Sequence, residues 1–246
     1  MTRARTATVT LTALMAAAVP GFEISAAEAK SPRAVIELFT SQGCSSCPPA
    51  DALLAKLAGE DDLIALSLPV DYWDRLGWKD TFAKHAFTER QLAYSRERGD
   101  GKVYTPQAVV NGREHAVGSQ RAAIAAAVDD TASSLSVPLS LDRSQDALKV
   151  SVGAAPGAPA RSTLLLMPYL AARDVAIGRG ENARRKVTYT NIVRDIVPLA
   201  TWDGKPIART IPLDEYKNYD GLVVLLQAGS PGNPGAILGA GRLALR

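Results

Sequence analysis

From residue 34 onward the chain alternates short apolar runs with stretches of helical spacing, then changes to strand-like runs alone. Val35 to Phe39 and Leu63 to Leu68 are apolar runs of strand length. Between them Ala52, Leu53, Ala55, Lys56 and Leu57 read as a helix, for which Pro48-Pro49 and Asp51 make a favourable first turn. Gln107 to Val110, Asn111-Gly112 and His115 to Val117 spell a β-hairpin, because Asn-Gly accepts the positive φ angles of a type I′ turn. Ser119 is placed to cap a helix over Gln120 to Val128, where Ile124 and Val128 fall on one face. The predicted order is strand, helix, strand, helical insert, hairpin, helix.

Near Ser133 the texture changes. Val137–Leu141, Leu148–Val152, Ser162–Met167, Lys186–Tyr189, Ile192–Val197, Ile207–Ile211, Leu222–Gln227 and Ala236–Leu243 are short runs broken by Pro and Gly. So many short strands in about a hundred residues predict an all-β, sandwich-like domain. The expected organisation is an α/β domain over residues 30–132, with a helical insert over 69–100, followed by a β-sandwich-like domain over 133–246.

The first residues change the expected compartment. Arg3 and Arg5 precede an uncharged stretch from Ala7 to Val19, and Ala27-Glu28-Ala29 offers small residues at the positions a signal peptidase reads. That layout predicts a signal peptide over 1–29, cleaved near Ala29, and a periplasmic or secreted protein. The apolar stretch is too short to span a bilayer, and no later segment is long enough, so no membrane span is expected in the mature chain.

Composition adds limits. In 246 residues, 47% hydrophobic and 22% charged, an ordinary folded chain is expected. The net charge of +3 is small and scattered, which argues against nucleic acid as a partner. With 2 cysteines and 2 histidines, a zinc cluster has too few ligands, and no metal is expected.

Both cysteines lie in Gly43-Cys44-Ser45-Ser46-Cys47-Pro48, after a strand and opening a helix. Two residues between cysteines on a first helical turn bring the sulfurs within disulfide reach. The helix N-terminus offers unpaired N–H groups and partial positive charge, which favour a thiolate on the more exposed Cys44. Cys44 would then attack a partner's disulfide, and Cys47 would resolve the mixed disulfide.

This strand–CxxC–helix context resembles the thioredoxin-like superfamily, and Thr105-Pro106 before the strand at Gln107 adds to it. The resemblance implies a cis-proline at Pro106 facing the redox cysteines, with the Thr105 backbone hydrogen-bonding an extended substrate. The stretches Glu37 to Pro48, Asp71 to Asp80, and Glu181-Asn182 through Arg194 are similar to the DUF1223 family of exported bacterial proteins, whose first half is thioredoxin-like. The fold class expected is therefore an α/β thioredoxin-like domain followed by an all-β sandwich-like domain. Two positions depart from thioredoxins. Leu38 stands where they carry a buried aspartate, and Glu37 points to the opposite face of the strand.

The insert holds Tyr72, Trp73, Trp78, Phe82, Phe87 and Tyr94. Tyr72 and Trp73, just after the second strand, are candidate substrate contacts with Thr105 and Pro106; the others are expected to pack the insert onto the sheet. His85 and His115 read as surface or packed side chains. Arg179, Arg184, Arg185 and Lys186 read as a solvated basic face, and Asn182 and Arg194 as parts of a turn or domain interface. The expected function is an exported thiol–disulfide oxidoreductase with Cys44 and Cys47 catalytic, no cofactor, and protein or small-molecule thiols and disulfides as partners. Two alternatives remain: a cell-envelope binding module with a structural disulfide, and copper handling by the cysteines with a histidine.

Overall fold

The computed structural model describes Met1, residues 31–159 and residues 161–246. The expected leader, Met1 apart, lies outside the described residues. The first half runs β1 (Ala34–Thr40), α1 (Pro48–Leu57), β2 (Leu63–Pro69), α2 (His85–Arg98), β3 (Gln107–Val110), β4 (Glu114–Val117) and α3 (Arg121–Thr131). The second half is strands apart from one 3-10 turn at Leu213–Tyr216: β5 (Leu139–Arg143), β6 (Ala147–Val152), β7 (Ser162–Ala176), β8 (Lys186–Val193), β9 (Val197–Trp202), β10 (Ile207–Pro212), β11 (Gly221–Ser230) and β12 (Asn233–Ala244).

Helix α1 starts where two prolines fix φ before any intrahelical N–H is needed, with Cys47 at the N-cap. The hairpin turns through Asn111 and Gly112, both at positive φ. Helix α3 departs from expectation in one detail: Gln120, not Ser119, is its N-cap, and no side chain caps it. The runs expected at Lys186–Tyr189 and Ile192–Val197 also differ, because β8 continues through Asn191 to Val193 and β9 begins at Val197. Asn191 adopts positive φ within the strand, and its side chain donates to the Ala65 carbonyl of β2 at 2.9 Å. A polar residue that resembles a turn in sequence is thus a fastening between strands.

The two halves share a sheet. Nine strands run in the order β12-β11-β7-β8-β2-β1-β3-β4, with β9 also paired to β7, and a separate three-stranded sheet holds β10-β6-β5. The junction is a parallel contact between β2 and β8 at Ser67 and Ile192. Strand β1 sits in the middle with both faces covered. Ala34, Ile36 and Leu38 face α1 and α3, whereas Val35 and Phe39 join a core that includes Tyr94, Met167, Val223 and Ile237. A third cluster, containing Leu148, Val150, Leu164, Trp202 and Leu226, fills the space between the large and small sheets.

Burial of both β1 faces explains Glu37. Its carboxylate is fully buried and takes a forked pair of hydrogen bonds from Arg90 of α2, at 2.7 and 3.0 Å. Tyr94 donates to the same carboxylate, and Gln227 of β11 accepts from Arg90 at 3.0 Å and donates to Tyr94 at 2.8 Å. This network pins the polar helix α2 and a strand of the second half to the central strand.

Strand β7 makes the second connection. Its first eight residues are buried and pair with β11 and β9; the remainder emerges and pairs with β8 as a ribbon. The ribbon closes over residues 177–185, where Ile177 and Arg184/Arg185 exchange backbone bonds of 2.8 and 2.9 Å. That tip reaches the cysteine loop.

Candidate functional site

Residues 41–47 leave the C-terminal end of β1 and enter α1 as a tight loop, with Cys44 N–H on the Ser41 carbonyl and Cys47 N–H on the Cys44 carbonyl, each at 3.2 Å. Cys44 and Cys47 form a disulfide with Cα atoms 5.4 Å apart. The Thr105–Pro106 bond is cis and lies opposite: the Thr105 carbonyl is 3.8 Å from Cys44 Sγ and 3.5 Å from the Ser46 hydroxyl. Trp73 ties the two loops together. Its indole N–H donates to Thr105 Oγ1 at 2.8 Å, and its Cβ lies 3.2 Å from where a Cβ on Gly43 would stand. Tyr72 is half-buried, donating to Gln91 Oε1 at 3.2 Å, with its ring 6.3 Å from that of Trp73. Of the four expected contacts, Thr105 and Trp73 lie against the disulfide loop. Pro106 is buried beneath the loop end of β3, and Tyr72 packs behind Trp73.

The exposure expected of Cys44 is not found. Both cysteines have 0% of their surface accessible. Ser46 and Thr105 stand against the Cys44 sulfur itself, and the tip between β7 and β8 covers the loop's backbone. Asn182, itself fully buried, donates from Nδ2 to the Gln42 carbonyl at 3.0 Å and to the Cys44 carbonyl at 2.8 Å. Glu181 accepts the Ser45 N–H at 3.2 Å. The free N–H groups expected of the helix end are also reduced. Pro48 and Pro49 have none, and Ala50 and Asp51 direct theirs to the Cys47 carbonyl at 2.8 and 3.1 Å.

The insert holds the other side of the loop. Asp80 accepts the Gln42 N–H at 2.8 Å, and the Gln42 side chain accepts from Trp78 Nε1 at 2.8 Å and donates to Thr81 at 3.0 Å. Trp78 packs directly against the tip, 3.1 Å from a Cβ built on Gly178 and 3.3 Å from one on Gly180. Arg194 reaches the insert as well, donating to the Phe82 carbonyl at 2.9 Å. Gln42, Trp78, Asp80, Glu181 and Asn182 are therefore part of the site. No spacing rule singles them out, since they come from three separated stretches.

Behind the disulfide lies a buried carboxyl. Asp51 is one helical turn after Cys47, hence on the same face of α1, and only 2% exposed. One oxygen accepts from Thr40 at 2.8 Å; the other has no partner, nor do the nearby Ser67 and Tyr189 hydroxyls. Burial pushes the Asp51 pKa up from 3.8 to about 7, against the Thr40 bond and with help from the charge of Asp80. Burial also raises the Asp80 pKa, although backbone N–H groups of Gln42, Phe82 and Ala83 oppose it. A buried carboxyl is thus present, placed on α1 instead of at the Leu38 position.

The histidines are engaged elsewhere. His85 contacts Asp71 at 3.0 Å and Glu89 at 3.5 Å; His115 contacts Tyr104 at 2.8 Å and Asp100 at 3.1 Å. Among the described residues no group of three or more metal-binding side chains occurs. None of their helices is long and apolar enough to cross a membrane.

The family described as "Protein of unknown function (DUF1223)" matches residues 35–227, from the start of β1 into β11. The chain belongs to the DUF1223 family. The crystal structure of protein AGR_C_4864 from Agrobacterium tumefaciens is similar to this DUF1223 chain over 88% of its length and 96% of that protein's. The TM-score is 0.78 and the identity 35%. No curated protein matches the chain. The DUF1223 match spans the CxxC loop, the insert and the covering tip together, so all three belong to the matched region.

Proposed function

We propose that this DUF1223 protein is an exported thiol–disulfide oxidoreductase in which Cys44 is the nucleophile and Cys47 the resolving thiol. The observation that carries the reading is the Cys44–Cys47 disulfide facing the Thr105 carbonyl at the cis-prolyl turn. The order β1-α1-β2-α2-β3-β4-α3, with strands arranged 2-1-3-4, supports a thioredoxin-like first half. The basic, apolar and small-residue succession over 1–29 supports export, to a compartment where disulfides persist.

In the reduced protein, the Cys44 thiolate attacks one sulfur of a partner disulfide, and the partner's other sulfur leaves as a thiolate. Cys47, as thiolate, then attacks Cys44 Sγ, expels the partner's second sulfur and restores the Cys44–Cys47 bond. Two electrons pass to the partner, and no cofactor enters the balance. Asp51, protonated below about pH 7 and ionised above it, is the carboxyl on this face of α1 that can take the Cys47 proton. The reverse sequence oxidises a partner dithiol, and relative potentials decide the direction.

A second reading has its own observation: complete burial of both sulfurs suits a structural bridge in a binding module. Equilibration of the chain with thiol/disulfide buffers, followed by alkylation, separates the two. A potential between about −270 and −120 mV fits an exchanging pair, and one below about −300 mV a structural bridge. Cys44→Ser is expected to abolish exchange with a model disulfide while the fold is retained. Full exchange in that variant overturns the mechanism.

A further inference from the structure

We infer that the face formed by the β7–β8 tip and the adjoining segment 75–79 is a docking surface for an acidic polypeptide. The inference rests on the exchange chemistry proposed above, because it names the partner that chemistry would serve. The basic run has a definite position: Arg179, Arg184 and Arg185 are exposed on the tip whose Glu181 and Asn182 hold the cysteine loop. Segment 75–79 lies against that tip, with Trp78 beside Gly178 and Gly180 and the Leu76 carbonyl 3.8 Å from a Cβ built on Gly180. It adds Arg75 and Lys79, both exposed.

Among the described residues, none of these five cations has a carboxylate within ion-pair distance, whereas Arg33, Arg121, Lys186 and Lys217 do. Nearby acids are committed elsewhere. Glu181 accepts the Ser45 N–H, Asp74 accepts the Asp80 N–H at 3.0 Å, and Asp80 is buried under backbone donors. The result is a net positive rim beside the disulfide loop, five cations against the carboxylates of Glu181 and Asp74. Leu76, 44% exposed, is one apolar foothold within it, and Ser45 and Ser46 are open at its edge.

Charge complementarity selects an anionic partner, and the rest selects a polypeptide. A bilayer surface offers no sulfur to the cysteines, and a single leucine gives little to insert into lipid. An acidic chain can satisfy the arginines, and its carbonyls or carboxylates can take the Ser45 N–H from Glu181.

The test uses the full chain and dye-labelled ten-residue peptides with acidic, neutral or basic flanks around a central serine. Binding is read by anisotropy. At 50 mM salt the acidic peptide is expected to bind about tenfold tighter than the neutral one, the basic peptide more weakly still, and the difference to fade at 0.5 M salt. Arg179→Ser/Arg184→Asn/Arg185→Ser, with Asn chosen because residue 184 has φ +68°, removes the advantage. Arg75→Ser/Lys79→Ser, on the other segment, reduces it and guards against a folding defect in the tip. Equal binding of acidic and basic peptides, an advantage unchanged in both variants, or tighter binding to phosphatidylglycerol vesicles than to the acidic peptide overturns the proposal. The same peptides with two cysteines in place of the central serine and a neighbour test the chemistry separately, because Cys47 expels a single thiol from the mixed disulfide and a second partner thiol is needed to complete the reduction. If the acidic serine peptide binds as expected and no cysteine peptide opens the disulfide, the docking surface stands and the oxidoreductase reading fails.

Discussion

Asn182→Ala removes the side chain that fastens the β7–β8 tip over the disulfide. Its Nδ2 makes two hydrogen bonds, to Gln42 O at 3.0 Å and Cys44 O at 2.8 Å, and nothing else in the tip donates to those carbonyls. At about 1 kcal/mol net for each bond, the closed arrangement loses about 2 kcal/mol relative to the open one. Cys44 is fully buried when closed, so a reductant attacks the open fraction, whose population rises about 30-fold for that energy. The assay is reduction of the Cys44–Cys47 bond by excess dithiothreitol, sampled by alkylation, alongside urea unfolding. Asn182→Ala is expected to be reduced about 30-fold faster, and Asn182→Asp, which keeps the volume but cannot donate, to behave similarly. Unfolding free energy lowered by about 2 kcal/mol with an unchanged reduction rate would refute the reasoning, because attack would then reach Cys44 without movement of the tip.

Two further predictions concern the core around the site. The Asp51 pKa is raised on folding from 3.8 to about 7, so the native state holds an extra proton between those values. Stability therefore falls as pH rises from about 4 to 7, by on the order of 4 kcal/mol for this group. Asp51→Asn, which mimics the neutral acid, should flatten that fall and be the more stable form at pH 8; urea midpoints across pH 4 to 8 check it. Arg90→Met leaves Glu37 buried without its cation and is expected to cost about 3–5 kcal/mol, whereas Glu37→Leu/Arg90→Met recovers part of the loss. Equilibrium unfolding of the two variants decides, and a double variant weaker than the single one contradicts the account.

Local patterns in the sequence carry much of the architecture. The prolines opening α1, the Asn-Gly hairpin and the strands of the second half each correspond to an element near its expected place. What local pattern misses is held by long-range contacts. Nothing around Ser67 or Ile192 announces that two segments far apart in the chain lie side by side and join the halves into one sheet. Glu37 reads only as pointing to the face opposite Leu38, and its burial is not legible because its partners Arg90 and Gln227 lie in a polar helix and a distant strand. Helix α2 itself carries little apolar signal, since Arg90, Gln91 and Ser95 are among its buried residues. The cysteine pair is legible as a motif. Its cover is not, because Asn182 is one polar residue in a glycine- and arginine-rich turn until the fold brings it against Cys44.

The separation of Cys44 from Asn182 by 138 positions has a consequence for how the protein is made. At about 5–20 residues per second, on the order of ten seconds pass between synthesis of the cysteines and synthesis of the residue that shuts over them. On the proposed export the cysteines also cross first into a compartment where disulfides persist. The disulfide then has a first opportunity to form before Asn182 arrives, and completion of the ribbon encloses whichever redox state the chain has reached.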